Sequence, residues 1–149
     1  MAFLSFMDAA LEEARQAGDR GEVPVGAVVV NGKGRVIARA GNETRALNAP
    51  TAHAELLAIR AACDVLGVER LLGHDLYVTL EPCPMCAGAI AAARINRLYF
   101  GAADPKSGGV LHGARVFDHP QCHHSPEVYD GIAAEDCEAL LKAFFADRR

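Results

Sequence analysis

The sequence predicts an α/β domain with helices on both faces of one sheet, and three observations predict it. Short β-branched segments alternate along the chain with segments of helical period. Apolar residues make up 51% of the 149 positions, enough for a sizeable core. No linker, repeat or low-complexity tract interrupts the chain, so residues 1–149 read as one domain.

The elements follow in order. Residues 3–17 carry Phe3, Met7, Ala10, Leu11 and Ala14 at helical spacing, with Asp8, Glu12, Glu13 and Arg15 between them. This is an amphipathic surface helix, closed by Gly18 and Gly21. Residues 25–30 and 35–40 are two strands joined by Asn31-Gly32-Lys33-Gly34, a hairpin. Gly41-Asn42-Glu43-Thr44 opens a loop that runs to Pro50. Residues 53–66 form a helix with Leu56, Ile59, Ala62 and Cys63 on one side, and residues 76–80 a strand. Pro82 opens a second, short helix through Ala93, because proline is favoured in a first turn, where its missing N–H costs nothing. Residues 97–101 are a strand and residues 104–109 a loop. Residues 110–130 have no readable period. Residues 134–146 form a last helix, with Cys137, Leu140, Leu141, Phe144 and Phe145 at positions i, i+3, i+4, i+7 and i+8.

Composition narrows the function. The first residues lack a basic segment and acids follow at Glu12 and Glu13, a poor match to a signal peptide. No apolar run reaches the roughly 18–20 residues that span a bilayer, so the expectation is a soluble, cytoplasmic protein without a membrane partner. Five cysteines, an odd number without a signal peptide, argue against a disulfide framework. Cys83 and Cys86 form one close pair suited to metal; Cys63, Cys122 and Cys137 read as small buried hydrophobes. A net charge of −4 opposes promiscuous binding of nucleic acid through phosphates and leaves room for a specific site.

Two motifs carry chemistry, each where a helix begins: His53-Ala54-Glu55 and Pro82-Cys83-Pro84-Met85-Cys86. Cys83 and Cys86, three apart, share a helical face, and His53 supplies a third ligand. Cysteine and histidine suit Zn²⁺, and three protein ligands with an open position mark a catalytic ion, one per chain. Residues i and i+2 diverge on a helix, so His53 and Glu55 serve one site only if the metal lies off the helix N-terminus. The partial positive charge there stabilises thiolate and hydroxide. Two thiolates neutralise the ion and weaken it as a Lewis acid, so the water needs a base. Glu55 is that base, placed to take the proton from the water and return it to a leaving group. Alone, Cys-x-x-Cys also fits a redox pair or half of a structural zinc site. The conjunction with His-x-Glu favours catalytic zinc.

His-x-Glu followed by Pro-Cys-x-x-Cys is the signature of zinc nucleobase deaminases. The sequence most resembles the bacterial tRNA-specific adenosine deaminases. The resemblance rests on residues 22–30 (EVPVGAVVV), Gly41-Asn42, residues 50–55 (PTAHAE), residues 76–89 (LYVTLEPCPMCAGA), Phe100-Gly101-Ala102 and the ending from Phe144 to Arg149. It implies a three-layer α/β/α sandwich with a mixed sheet of about five strands, a homodimer, and conversion of adenosine to inosine at the wobble position of a tRNA anticodon. It also implies that Asn42 contacts the purine and that Ala54 offers its backbone N–H to the base. The loop with Asp104 and Lys106, and the terminal helix with Phe145, Arg148 and Arg149, would approach the anticodon stem-loop. Residues 108–125 depart from the familiar form and carry Cys122-His123-His124. With His119 these could hold a second metal, but adjacent side chains rarely converge on one ion, so solvated or backbone-capping histidines are the expectation. His74 and His112 have no motif around them and read as structural. Arg45, Arg94, Arg97 and Arg115 are further candidate phosphate contacts, each alone an ordinary surface charge. Two other readings use the same residues: a deaminase of a free base such as guanine or cytosine, and a zinc-stabilised RNA-binding subunit without catalysis, which would not need Glu55.

Overall fold

The computed structural model describes the backbone of residues 2–148 and the side chains of residues 6–148. The positions expected of the Phe3 side chain and of Arg149 lie outside the described residues. Four α-helices and five strands are found: α1 (Ala2–Asp19), β1 (Gly26–Val30), β2 (Val36–Gly41), α2 (Ala54–Leu66), β3 (Asp75–Leu80), α3 (Pro84–Ala92), β4 (Arg97–Ala102), β5 (Glu127–Tyr129) and α4 (Ala134–Ala146), with a 3₁₀ turn at Val116–Asp118. The sheet order is β2-β1-β3-β4-β5. The pairs β1–β2 and β1–β3 are antiparallel, while β3–β4 and β4–β5 are parallel, so the sheet is mixed.

Period-2 alternation in β1 sets the layers. Val28 and Val30 face α1 and α4, in a cluster with Met7, Leu11, Tyr77 and Cys137. Ala27 and Val29 face α2 and α3, with Ile59, Leu76, Val78, Ile90, Leu98 and Phe100. Both faces are covered and all five residues of β1 are buried. The hairpin turn is held by Asn31, whose Oδ1 accepts the N–H groups of Lys33 and Arg35 at 2.9 Å each.

Two glycines set the height of α1. Gly26 and Gly41 are direct partners across β1 and β2. A Cβ on Gly26 would lie 2.0 Å from the Ala10 carbonyl oxygen, and one on Gly41 2.8 Å from that of Glu13. The helix backbone therefore rests on the sheet backbone.

Differences from the sequence reading sit at element ends and in residues 110–130. The second short helix starts at Pro84, leaving Pro82 and Cys83 outside it. β5 has three residues, too few to show a period, and is held by pairing along β4, with Tyr129 stacked on Tyr99 at 5.0 Å.

Candidate active site

α2 and α3 begin at the C-terminal side of the sheet, and both begin on a metal-ligating residue type. His53 is the N-cap of α2 and Cys83 the N-cap of α3, each with extended backbone. Neither side chain caps its own helix. A histidine or cysteine at an N-cap leaves the helical N–H groups without the usual side-chain acceptor and frees the side chain to turn aside. Here both turn toward each other. His53 Nδ1 lies 3.7 Å from Cys83 Sγ and 3.5 Å from Cys86 Sγ, and the three donor atoms all lie within 4.8 Å of one another. Zinc bonds of about 2.0 Å to nitrogen and about 2.3 Å to sulfur at a tetrahedral angle span about 3.6 Å. The donor set and its spacing therefore fit one such ion.

The electrostatics agree. The hydrogen bond from Cys86, followed by that from His53, lowers the Cys83 thiol to about 4. The same bond to Cys83, with burial, raises Cys86, and the bond to Cys83 raises His53. The donors must be deprotonated to bind a divalent cation, so binding one would release protons.

Glu55 is at the second position of α2, and its side chain is buried beside this cluster. Burial raises its carboxyl to about 7, against the lowering effect of a backbone hydrogen bond at the helix start. A carboxyl balanced near neutrality can both accept and donate a proton. His53, Glu55 and Cys83 line a cavity of about 240 Å³ with Asn42, Thr44, Glu81, Asp104 and Ser107. Its apolar walls are Val23, Val25 and Leu80.

Two buried carboxylates absent from the sequence reading fix the loops on either side. Glu22 accepts the N–H groups of Arg45 (3.1 Å) and Ala46 (2.9 Å) and the Thr44 hydroxyl (3.4 Å), pinning the loop that follows β2. Glu81 does the same for residues 104–112. For both, burial alone would raise the carboxyl, but the N–H groups outweigh it and hold it below the ordinary value. The signal available in the sequence was position: each glutamate abuts a strand-forming apolar run, where a solvated charge is out of place.

The family model for the cytidine and deoxycytidylate deaminase zinc-binding region matches residues 3–102. A tRNA-specific adenosine deaminase of Agrobacterium fabrum is 60% identical over 144 residues, covering 97% of this chain and 94% of the relative. The chain belongs to the tRNA-specific adenosine deaminase family. A solved structure from a study of A-to-I editing by tRNA:A34 deaminases superposes with a TM-score of 0.90 at 61% identity, covering 92% of this chain and 99% of the other. The guanine deaminase of Bacillus subtilis is 42% identical, with a TM-score of 0.63, over 66% of this chain and 63% of its own.

In this deaminase the remaining expected site residues separate into three groups. Asn42 and Asp104 line the cavity itself. Lys106 and Phe145 line an adjoining hollow that shares Val23, Leu80, Asp104 and Ser107 with it; Phe145 is 52% exposed, so it is not core. Arg148 lies elsewhere, 3.9 Å above the Phe144 ring, in a groove between α1 and α4. The two residues implied to contact the purine are bonded to each other: the Ala54 N–H donates to Asn42 Oδ1 at 2.8 Å. Residues 42 and 54 are brought together by a loop, which is why the bond was invisible in the sequence.

The other candidates bond locally. His124 Nε2 meets the Ile95 carbonyl at 2.6 Å, His119 accepts the Gln121 N–H, and the Cys122 thiol donates to the His124 carbonyl. His74 Nδ1 meets the Leu72 carbonyl. Arg45 donates to the Gly21 carbonyl, Arg94 to that of Ala91, and Arg97 pairs with Glu127. Cys137 is buried as expected, but Cys63 and Cys122 are only half-buried. Among the described residues no helix is long and apolar enough to cross a membrane.

Proposed function

We propose that this chain, acting as one domain over residues 1–149, hydrolyses the exocyclic amine of the wobble adenosine in a tRNA anticodon to give inosine. The observation that carries this is a buried carboxyl, Glu55, set against a His53–Cys83–Cys86 cluster beside a cavity of about 240 Å³. His53, Cys83 and Cys86 would hold one Zn²⁺, which when bound supplies the Lewis acidity that makes water a nucleophile near neutral pH. Glu55 would take the two protons of that water in succession, passing the first to the ring nitrogen and the second, from the hydroxyl added to the ring carbon, to the leaving amine, so that water is consumed and ammonia released. Asn42 spends Oδ1 on Ala54 and keeps its amide Nδ2 for the base. The base must leave the loop stack to reach this depth, and Asp104, Lys106 and Phe145 stand where the flanking nucleotides would pass. Arg148 and Arg149 would serve phosphates farther along the stem-loop. Such an enzyme works in the cytoplasm, with its substrate.

A homodimer across α3 belongs to the same reading. Gly88 and Ala92 are exposed on that helix, and a Cβ added to Gly88 would meet nothing within 4 Å. So bare a surface permits close helix packing.

The test is to incubate purified protein with tRNA, an anticodon stem-loop and free bases, and to assay inosine and ammonia. Inosine in RNA is the result expected. Ammonia from free guanine or cytosine without inosine in RNA would replace this reading with the free-base one, which the partial likeness to a guanine deaminase keeps in view.

A further inference from the structure

Glu81 ends up in a place its sequence neighbours do not announce. Its side chain is fully buried. Oε1 accepts the Asp104 N–H at 3.0 Å and contacts the His112 ring Nδ1 at 2.7 Å. Oε2 accepts the N–H groups of Val110 (3.2 Å), Leu111 (2.9 Å) and His112 (3.1 Å). Both ends of the 104–112 loop therefore close on one carboxylate. The loop is moulded to it: a Cβ on Gly108 would lie 2.6 Å from Glu81 Cδ and Oε2, and one on Gly109 2.6 Å from Pro84 N. A second anchor ties the Gly109 N–H to the Pro82 carbonyl at 2.8 Å.

This geometry links two things that chain order leaves separate. Residues 81–84 lead directly into the Cys83 and Cys86 turn. Residues 104–107 bring Asp104 and Ser107 to the cavity wall and Lys106 to the hollow beside it. The distance from the reacting centre to the outer wall is thus set by the Glu81 carboxylate together with the Gly109–Pro82 backbone bond. Three backbone N–H groups on one oxygen and a backbone N–H plus a ring on the other define a fixed orientation, since a carboxylate offers about four acceptor positions.

We propose that Glu81 is a positioning residue for substrate: it holds the 104–112 loop against the cysteine turn and so fixes the wall that receives the RNA, without taking part in proton transfer. The proposal rests on the reading that this cavity takes a base from an RNA loop.

Glu81→Gln is the decisive variant because it keeps size and one acceptor oxygen. The amide –NH₂ cannot accept, so it settles at the Oε1 position, where His112 Nδ1 can accept from it and only the Asp104 N–H is stranded. Hydrogen exchange should then rise at the Asp104 amide and stay slow at 110–112. Affinity for an anticodon stem-loop should fall about tenfold. The single-turnover rate at saturating RNA should stay within about threefold of the parent, and metal content should not change. Gly108→Ala crowds both the Glu81 carboxylate and the Asp104 carbonyl of the loop and serves if Glu81→Gln does not fold; it should weaken affinity with the rate preserved. An unchanged affinity in the folded variant, or a loss confined to the saturated rate, overturns the proposal. If the parent makes no inosine, the substrate reading fails instead, and exchange at the Asp104 amide still decides whether Glu81 holds the loop.

Discussion

Asn42 Oδ1 accepts the Ala54 N–H at 2.8 Å, joining the loop after β2 to the first turn of α2. The bond satisfies one of the helix-start donors that His53, turned toward the cysteines, does not cap. Asn42→Ala should therefore destabilise the protein by about 1–3 kcal/mol, the usual cost of stranding a buried donor. Asn42→Asp keeps the acceptor and should recover most of that loss while still weakening substrate binding, because the Nδ2 donor is gone. Urea midpoints of the metal-loaded variants, with stem-loop affinity on the same preparations, check both halves.

Glu55→Ala should retain metal and fold but lose deamination by about 10²–10⁴-fold or more, the range for general acid–base assistance. One group moving protons in successive steps places the loss at the upper end. Single-turnover inosine formation within tenfold of the parent rate would remove Glu55 as the shuttle.

Freshly purified, unchelated protein should contain one zinc per chain by elemental analysis. Chelation, or Cys86→Ala, should lower the thermal midpoint. Metal at a free concentration of 100 Kd adds about 2.7 kcal/mol, which for a chain of this size is on the order of 5–10 °C. Zinc-free protein with an unchanged midpoint would contradict the ligand set.

Acid should weaken the loop anchors. Glu22 is held below its ordinary value, so it binds fewer protons in the folded state than in the unfolded one. Its stabilisation is complete above the unfolded glutamate value of roughly 4.3 and is lost as pH falls through the lower folded value. The stability gap between parent and Glu22→Gln should accordingly be wide at pH 7 and narrow below about pH 4, as denaturant midpoints across that range would reveal. A gap that widens in acid would reverse the assignment.

An arginine placed on the bare face of α3, as in Ala92→Arg, should convert a dimer to a monomer at micromolar concentration by light scattering. A parent protein that is already monomeric there would rule out this interface.

The sequence displayed the fold's periodic parts and the chemically rare ones. β1 was legible as a run of adjacent β-branched valines, and α1 as apolar residues at helical spacing. His53, Glu55, Cys83 and Cys86 were legible because few residue types bind metal. What stayed hidden depends on contacts between distant positions. β5 forms through its neighbour β4, and although Glu22 and Glu81 stand beside apolar runs, the loops they hold come from distant positions. The offset of α3 by two residues followed from reading Pro82 as its first residue, when Pro84 fills that role.

The sheet order has a consequence for how the protein is made. The ribosome delivers His53 thirty positions before Cys83, yet β3 lies between β1 and β4 and carries the cysteine turn at its end. A nascent chain that has released only the hairpin and α2 exposes a solitary imidazole, a poor competitor for scarce zinc in a crowded cell. The full set of three donors exists only once the turn at Cys83 and Cys86 has been made, after the central strand β3. An ion held by all three would therefore bind a chain whose hairpin, α2 and β3 have already been synthesised.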